Sequence, residues 1–272
     1  MGGAENTSND ELLELARKIA LTAGALAKTR RAEGVEVAAS KSSLEDIVTH
    51  ADRETEALIR SMLADARPND GFLGEESGAD VGSSGLTWIV DPIDGTVNYL
   101  YGLPHYAVSI AVVEGEPNPA SWRALAGAVV NPATGELFTA ASGSGAFLGD
   151  KQIRVAPPVD LSQALIGTGF SYTAANRLEQ AAIVARLIGR VRDIRRMGTA
   201  SLDLCAVAAG RLNAYYERGL NPWDHAAGAL IATEAGARVS GLRGAAVTAE
   251  FTLAAEPALA VELERLLIGF GL

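Results

Sequence analysis

One stretch constrains this chain more than any other: Trp88-Ile89-Val90-Asp91-Pro92-Ile93-Asp94-Gly95-Thr96. The apolar run at 86–90 reads as a buried strand, and it runs straight into two carboxylates. Pro92 fixes φ and lacks an N–H, so the ladder is expected to stop there and the chain to turn. Asp91 and Asp94 can then both aim at one spot beyond the strand end. Asp94-Gly95-Thr96 reads as a helix start, where free N–H groups can hold anionic oxygens. Gly95 lets a ligand come close to the backbone. Carboxylates beside an anion cradle, with no Lys or Arg nearby, demand a cation between them. Oxygen-only ligands favour Mg²⁺, Mn²⁺ or Ca²⁺ over zinc.

Three further segments carry acids at turns: Gly74-Glu75-Glu76, Asn221-Pro222-Trp223-Asp224, and the run from Asp46 to Asp52. Taken singly each has a bland reading, because Asp at a helix start is usually a cap and a Glu-Glu pair after Gly is usually a solvated turn. Around them the chain reads as mixed α and β. Helical spacing covers 10–30, capped by Asn9 or Asp10, and 52–66, headed by Asp52. Strands are expected at 86–90, 106–113, 125–130 and 137–140, an antiparallel meander. Later strands fall at 164–167, 191–195 and 213–216. Helices fall at 176–188, at 199–209 with Thr199 as cap, at 222–235 closed by Gly236, and at 257–268. Residues 78–85 read as a flexible surface loop and 115–119 as a hairpin loop. This irregular alternation argues for layered α/β or α+β rather than a βαβ repeat.

Composition excludes several functions. The 272 residues carry 33 Asp+Glu against 23 Lys+Arg, a formal net charge of −10. That disfavours a nucleic-acid coat or a peripheral anchor on anionic lipid. A single cysteine, Cys205, excludes an intrachain disulfide and a cysteine-based zinc cluster, and fits a reducing, cytoplasmic setting. No apolar run approaches the roughly 18 residues of a membrane span. Residues 1–9 read as a disordered tail without a signal peptide, and 10–272 as one unit whose two α/β halves meet at the site.

Together, Gly74-Glu75-Glu76, Asp91-Pro92-Ile93-Asp94-Gly95-Thr96 and Trp223-Asp224-His225-Ala226-Ala227-Gly228 resemble the motifs of the inositol monophosphatase family, in the same order. Supporting matches are Lys41-Ser42-Ser43, Asp46-Ile47-Val48-Thr49, Gly198-Thr199-Ala200 and Tyr215-Tyr216-Glu217. The resemblance runs from about Leu12 to the C-terminus. It implies an αβαβα sandwich, a homodimer, and lithium-sensitive hydrolysis of a phosphate monoester with two or three Mg²⁺ ions. Glu75, Asp91 and the Ile93 carbonyl would hold one ion; Asp91, Asp94 and Asp224 would hold a second. Glu75 would also touch a third ion through water. Gly95 and Thr96 would contact phosphate, with Asp94 and Asp224 beside them. Thr96 and Asp52 would orient and activate water. Ala200 and Glu217 would meet the alcohol, and Lys41 would lie near the metal-site loop. The chemistry is reasonable: two cations neutralise a phosphate dianion and acidify water, so no covalent enzyme intermediate is needed.

Inositol-1-phosphate is the substrate this resemblance favours. Alternatives are histidinol phosphate, fructose-1,6-bisphosphate and nucleotide 3′-phosphates; Glu217 argues against the histidinol type. A different class is a non-catalytic partner of the transcription machinery, contacting it through Arg190, Arg192, Arg195 and Arg196. Those arginines also fit a solvated face, a dimer interface or a substrate edge. His50, His105 and His225 lack metal-pair spacing and read as structural or surface residues. Cys205 reads as a core thiol, and Trp88 and Trp223 as packing residues. Gly167-Thr168-Gly169-Phe170 is half of a dinucleotide fingerprint, weak without a third glycine and a downstream acid.

Overall fold

In the computed structural model, residues 7–35, 37–40 and 47–272 are described. Helix α1 (Asn9–Glu33), strands β1 (Val37–Ser40) and β2 (Ile47–Thr49), and helix α2 (His50–Ala66) lead into β3 (Gly71–Gly74), β4 (Gly78–Asp80) and β5 (Leu86–Asp94). After a short α3 (Thr96–Tyr101) come β6 (Ala107–Glu114), β7 (Arg123–Asn131), β8 (Glu136–Ala141), β9 (Gly145–Leu148) and β10 (Lys151–Ile153). The remainder interleaves β11 (Leu165–Thr168), α4 (Ala174–Leu187), β12 (Asp193–Arg195), α5 (Ala200–Ala208), β13 (Ala214–Glu217), α6 (Pro222–Glu234), β14 (Arg238–Ser240), β15 (Thr252–Ala255) and α7 (Pro257–Gly269).

The period of two along the strands decides the layering. On β5, Trp88 and Val90 meet Leu12, Ile19 and Ile59 of α1 and α2, while Ile89 turns the other way, towards Leu204 and Ile231 of α5 and α6. On β13, Tyr215 joins that same α5–α6 layer. Its neighbours Ala214 and Tyr216 pack with Ile183 of α4 and Leu259 and Leu263 of α7. The order is therefore α1/α2, a sheet, α5/α6, a second sheet, and α4/α7, the expected αβαβα sandwich. The first sheet runs β10-β9-β8-β7-β6-β5-β3-β4 and the second β12-β11-β13-β15-β14. From β5 to β10 each strand is antiparallel to the next, as the meander predicts.

Several boundaries differ from expectation. Pro92 does not stop β5: pairing with β6 passes from Asp91↔Ser109 to Asp94↔Ala107 across a register shift. One extra residue on β5 makes a bulge, and a bulge tolerates proline because it needs no ladder donor there. α2 starts at His50, capped by Thr49, so Asp52 closes a capping box instead of heading the helix. α1 starts at Asn9 with Ser8 as its cap, in a capping box with Glu11, so neither Asn9 nor Asp10 caps it. The expected tail over 1–9 is corrected at its inner end: Thr7 Oγ1 accepts from Arg67 Nη1 at 2.8 Å, and residues 1–6 lie outside the described residues. The span read as a flexible loop begins with edge strand β4, antiparallel to β3. Lys41, Ser42, Ser43 and Asp46 also lie outside the described residues.

Candidate active site

The β5 bulge turns two acids out of the sheet in different ways. Asp91 is 1% exposed, and its Oδ1 accepts from the Ile93 N–H at 3.1 Å. Asp94 reaches across to the second half of the chain. Its Oδ2 accepts from Ser201 N at 2.7 Å and from Ser201 Oγ at 2.6 Å, in the first turn of α5. Between Asp94 and α3 stands Gly95, with φ 92°. A Cβ there would sit 2.4 Å from Thr199 Oγ1, so both the conformation and the space require glycine. Thr199 does not cap α5 with its side chain, because its hydroxyl donates to the His105 carbonyl at 2.9 Å.

Thr96 links this corner to α2. Its Oγ1 lies 3.2 Å from Asp52 Oδ1 and 3.1 Å from the Ile93 carbonyl. Asp52 Oδ2 meanwhile accepts from Thr49 N at 2.8 Å and Thr49 Oγ1 at 2.5 Å. Glu75 follows β3, which runs parallel to β5, and its N–H reaches the Val90 carbonyl at 3.3 Å. The turn after it is held from behind. Glu56 of α2 accepts from Glu76 N at 2.8 Å and from Ser77 N at 2.7 Å.

The second half supplies the opposite wall. Asp224 stands in the first turn of α6, where its Oδ2 accepts from Asn221 N at 2.7 Å. Glu217 ends β13, and Tyr215 OH donates to its Oε2 at 2.5 Å. A cleft of about 390 Å³ brings together Glu75, Asp91, Ile93, Asp94, Gly95, Thr96, Ala200, Glu217 and Asp224. Asp52 stands behind Thr96 and does not line it.

Charge in the cleft is unbalanced. Burial, followed by the neighbouring acids, pushes the Asp91 and Asp224 carboxyls well above the usual range. Burial also lifts Asp94 to about 7, against the bonds from Ser201, and Asp52 to about 7, against those from Thr49. Glu217 is raised by the same cause, and the bond from Tyr215, then Arg196, offsets it in part. Glu75 and Asp91 share a side-chain hydrogen bond. Two carboxyls in that contact must hold either a proton or a cation between them. This crowded all-oxygen donor set fits a hard divalent cation. As they stand, no three or more Asp, Glu, His or Cys side chains among the described residues clasp a common point.

Sequence reasoning missed three contributors, Glu56, Ser201 and Asp203. Glu56 lies one helical turn beyond Asp52 on the buried face of α2, and that spacing was the available signal. Ser201 and Asp203 sit in the first turn of α5, and nothing in their local sequence marks them. Arg196 of the basic run lines the cleft, in agreement with the substrate-edge reading of that cluster. Of the residues read as structural, Trp223 lines the cleft, and the others do not. His225 is buried with its ring 6.0 Å from that of Trp122, and burial pushes it down to about 4, so it is neutral at pH 7. His105 is lowered by burial too. Cys205 is a buried free thiol. Trp88 Nε1 donates to Asp70 Oδ2 at 2.9 Å.

Five alternating layers surround this acid-lined cleft, and the family and relatives that the chain matches make it a phosphoric monoester hydrolase. The chain belongs to the inositol monophosphatase family, whose model matches residues 8–267. A relative from Mycobacterium tuberculosis, the inositol-1-monophosphatase SuhB, is 48% identical over 246 residues, covering 84% of this chain and 83% of its own. The Nus factor SuhB of Xylella fastidiosa is 45% identical over 202 residues, 74% of this chain and 70% of that one. Among solved structures, the IMPase of Thermotoga maritima superposes with a TM-score of 0.86 at 30% identity, covering 96% of this chain and 98% of that chain. No helix among the described residues is long and apolar enough to cross a membrane.

Proposed function

We propose that this enzyme hydrolyses inositol-1-phosphate to myo-inositol and phosphate, using two or three Mg²⁺ ions and no covalent intermediate. The observation that carries this reading is the cluster of acids, outnumbering the arginines Arg196 and Arg218, that opens on the same cleft as Glu217. Glu75, Asp91 and the Ile93 carbonyl would hold one cation, and Asp91, Asp94 and Asp224 a second. When bound, such cations neutralise a phosphate dianion and lower the pKa of water. The chain's own groups do the rest. The Gly95–Thr96 backbone and the Thr96 hydroxyl orient phosphate, with Asp94 and Asp224 alongside. Asp52 accepts from the Thr96 hydroxyl, so that Thr96 can in turn accept from the attacking water and line it up with phosphorus. Ala200 and Glu217 meet the alcohol, where a carboxylate accepts hydrogen bonds from a polyol.

The test is phosphate release with Mg²⁺ from inositol, histidinol, fructose and nucleotide phosphates side by side. Inositol-1-phosphate should have the highest kcat/KM, and Asp94→Asn should abolish its turnover. Turnover no better than that of Asp94→Asn would contradict the reading. Inhibition by LiCl in competition with Mg²⁺ should accompany it, as should a homodimer in solution and a cytoplasmic location.

The relative named a Nus factor motivates a second reading, contact with the transcription machinery through the basic run. In the fold that run divides: Arg195 pairs with Asp193 at 2.6 Å, while Arg196 lines the cleft. If a variant lacking the metal ligands rescued every phenotype of a deletion, this second reading would take precedence.

A further inference from the structure

Gly167-Thr168-Gly169-Phe170 is not a nucleotide loop. β11 ends at Thr168, and α4 begins only at Ala174. The second glycine has a different reason to be there. A Cβ on Gly169 would lie 1.9 Å from Glu217 Oε2, 2.2 Å from Oε1 and 2.1 Å from Cδ. The Glu217 carboxylate therefore lies flat against the Gly169 backbone, in space that any side chain would occupy. From the other side, the fully buried Tyr215 donates to Oε2 at 2.5 Å. Oε1 has no donor among the described residues, and Glu217 lines the cleft.

The segment after β11 that carries Gly169 is itself tied down. Ser171 N donates to Gln180 Oε1 at 2.9 Å, and Gln180 Nε2 reaches the Arg218 carbonyl at 3.5 Å. One buried side chain thus joins the lip after β11 to the lip after β13, so Glu217 cannot swing away with either of them.

We propose that Gly169 and Tyr215 are positioning residues that fix Glu217 as a rigid hydrogen-bond acceptor, selecting phosphate esters whose alcohol carries free hydroxyls over esters whose alcohol has none. The proposal rests on the phosphatase reading of the cleft. Physically, an acceptor already held in place loses little freedom on binding. A carboxylate with one oxygen committed to Tyr215 presents a single direction to the ligand.

The experiment compares kcat/KM for inositol-1-phosphate with that for p-nitrophenyl phosphate, which has no free hydroxyl, in the wild type, Tyr215→Phe and Gly169→Ala. The ratio of the two values should fall about tenfold in each variant, the equivalent of roughly 1.4 kcal/mol. The loss should appear mainly in KM for the inositol ester. Shortening the acid in Gly169→Ala/Glu217→Asp should relieve the clash and recover part of the ratio. Parallel losses on both esters would overturn the proposal in favour of a structural role, and an unchanged ratio would overturn it outright. If Gly169→Ala fails to fold, Tyr215→Phe, which removes only a hydroxyl, decides between the same outcomes. A wild type that hydrolyses neither ester would instead overturn the phosphatase reading beneath it.

Discussion

Glu56 uses both carboxylate oxygens on the backbone N–H groups that follow Glu75. The Glu56 side chain is 2% exposed, so its carboxylate oxygens sit away from bulk water. Hydrogen bonds to a buried charge are worth about 1.5–3 kcal/mol each. Glu56→Ala should therefore cost about 3 kcal/mol in urea unfolding. Independently of stability, it should raise the Mg²⁺ concentration for half-maximal activity several-fold, because the turn presenting Glu75 is freed. An unchanged Mg²⁺ requirement would remove Glu56 from the positioning of the site. Asp203 is the opposite case, a buried carboxyl whose Oδ1 has no partner. Burial, then Glu217 and Asp94, holds it well above the usual range. Below about pH 4 the carboxyl is protonated in both the folded and the unfolded chain. As pH rises the unfolded chain loses that proton first, so folding stability falls until the folded carboxyl ionises as well. Asp203→Asn should thus raise Tm at pH 8 and change it little at pH 4. The acids proposed as metal ligands, and Glu217, stand in motifs that the sequence shows. Ser201 and Asp203 carry no such signal, because they act through contacts between segments distant in sequence, and Glu56 is marked only by its helical spacing from Asp52.

At the scale of elements, α5 and α6 form the layer between the two sheets, and the site opens at their N-termini. Every residue of α5 is buried, so it lacks the amphipathic stripe by which most helices are recognised. It was still legible from its apolar run and length. Leu204, fully buried between the sheets, should cost 2–5 kcal/mol when cut to Ala, because neither sheet can collapse into the space. A loss below about 1 kcal/mol, measured by urea unfolding, would mean that the layer packs loosely. The strands hidden from sequence were short ones, β1, β2, β3, β4, β9, β10, β14 and β15, each of three or four residues. Segments such as Gly78-Ala79-Asp80 and Thr252-Leu253-Ala254-Ala255 hold no run of β-branched or aromatic residues. Their pairing is decided by the neighbouring strand. The bulge at Pro92 is hidden for a related reason. Proline forbids one ladder bond, but the strand beyond it still has a partner in Ala107.

For the whole molecule, the net charge of −10 is not spread evenly. Asp52, Asp91, Asp94, Glu217 and Asp224 meet around one cleft with raised carboxyls, and without a cation they repel an anionic ester. A bound divalent ion inverts that local sign. Because a cation binds the ionised carboxylates, it competes with protons. Mg²⁺ should therefore raise Tm more at pH 8 than at pH 5, since Asp94 is pushed up to about 7 when metal-free. Equal shifts at the two pH values would place the binding elsewhere. If the proposed function holds, this cleft hydrolyses phosphate esters only with a divalent cation held by its acids. The most direct measurement is the initial rate of phosphate release from inositol-1-phosphate against Mg²⁺ concentration, for the wild type and Asp91→Asn. A saturable rise from zero in the wild type and a loss of about a hundredfold or more in the variant are expected, the scale of removing a group that stabilises the transition state directly. Turnover without divalent cation, or an Asp91→Asn enzyme that keeps wild-type rates, would contradict it.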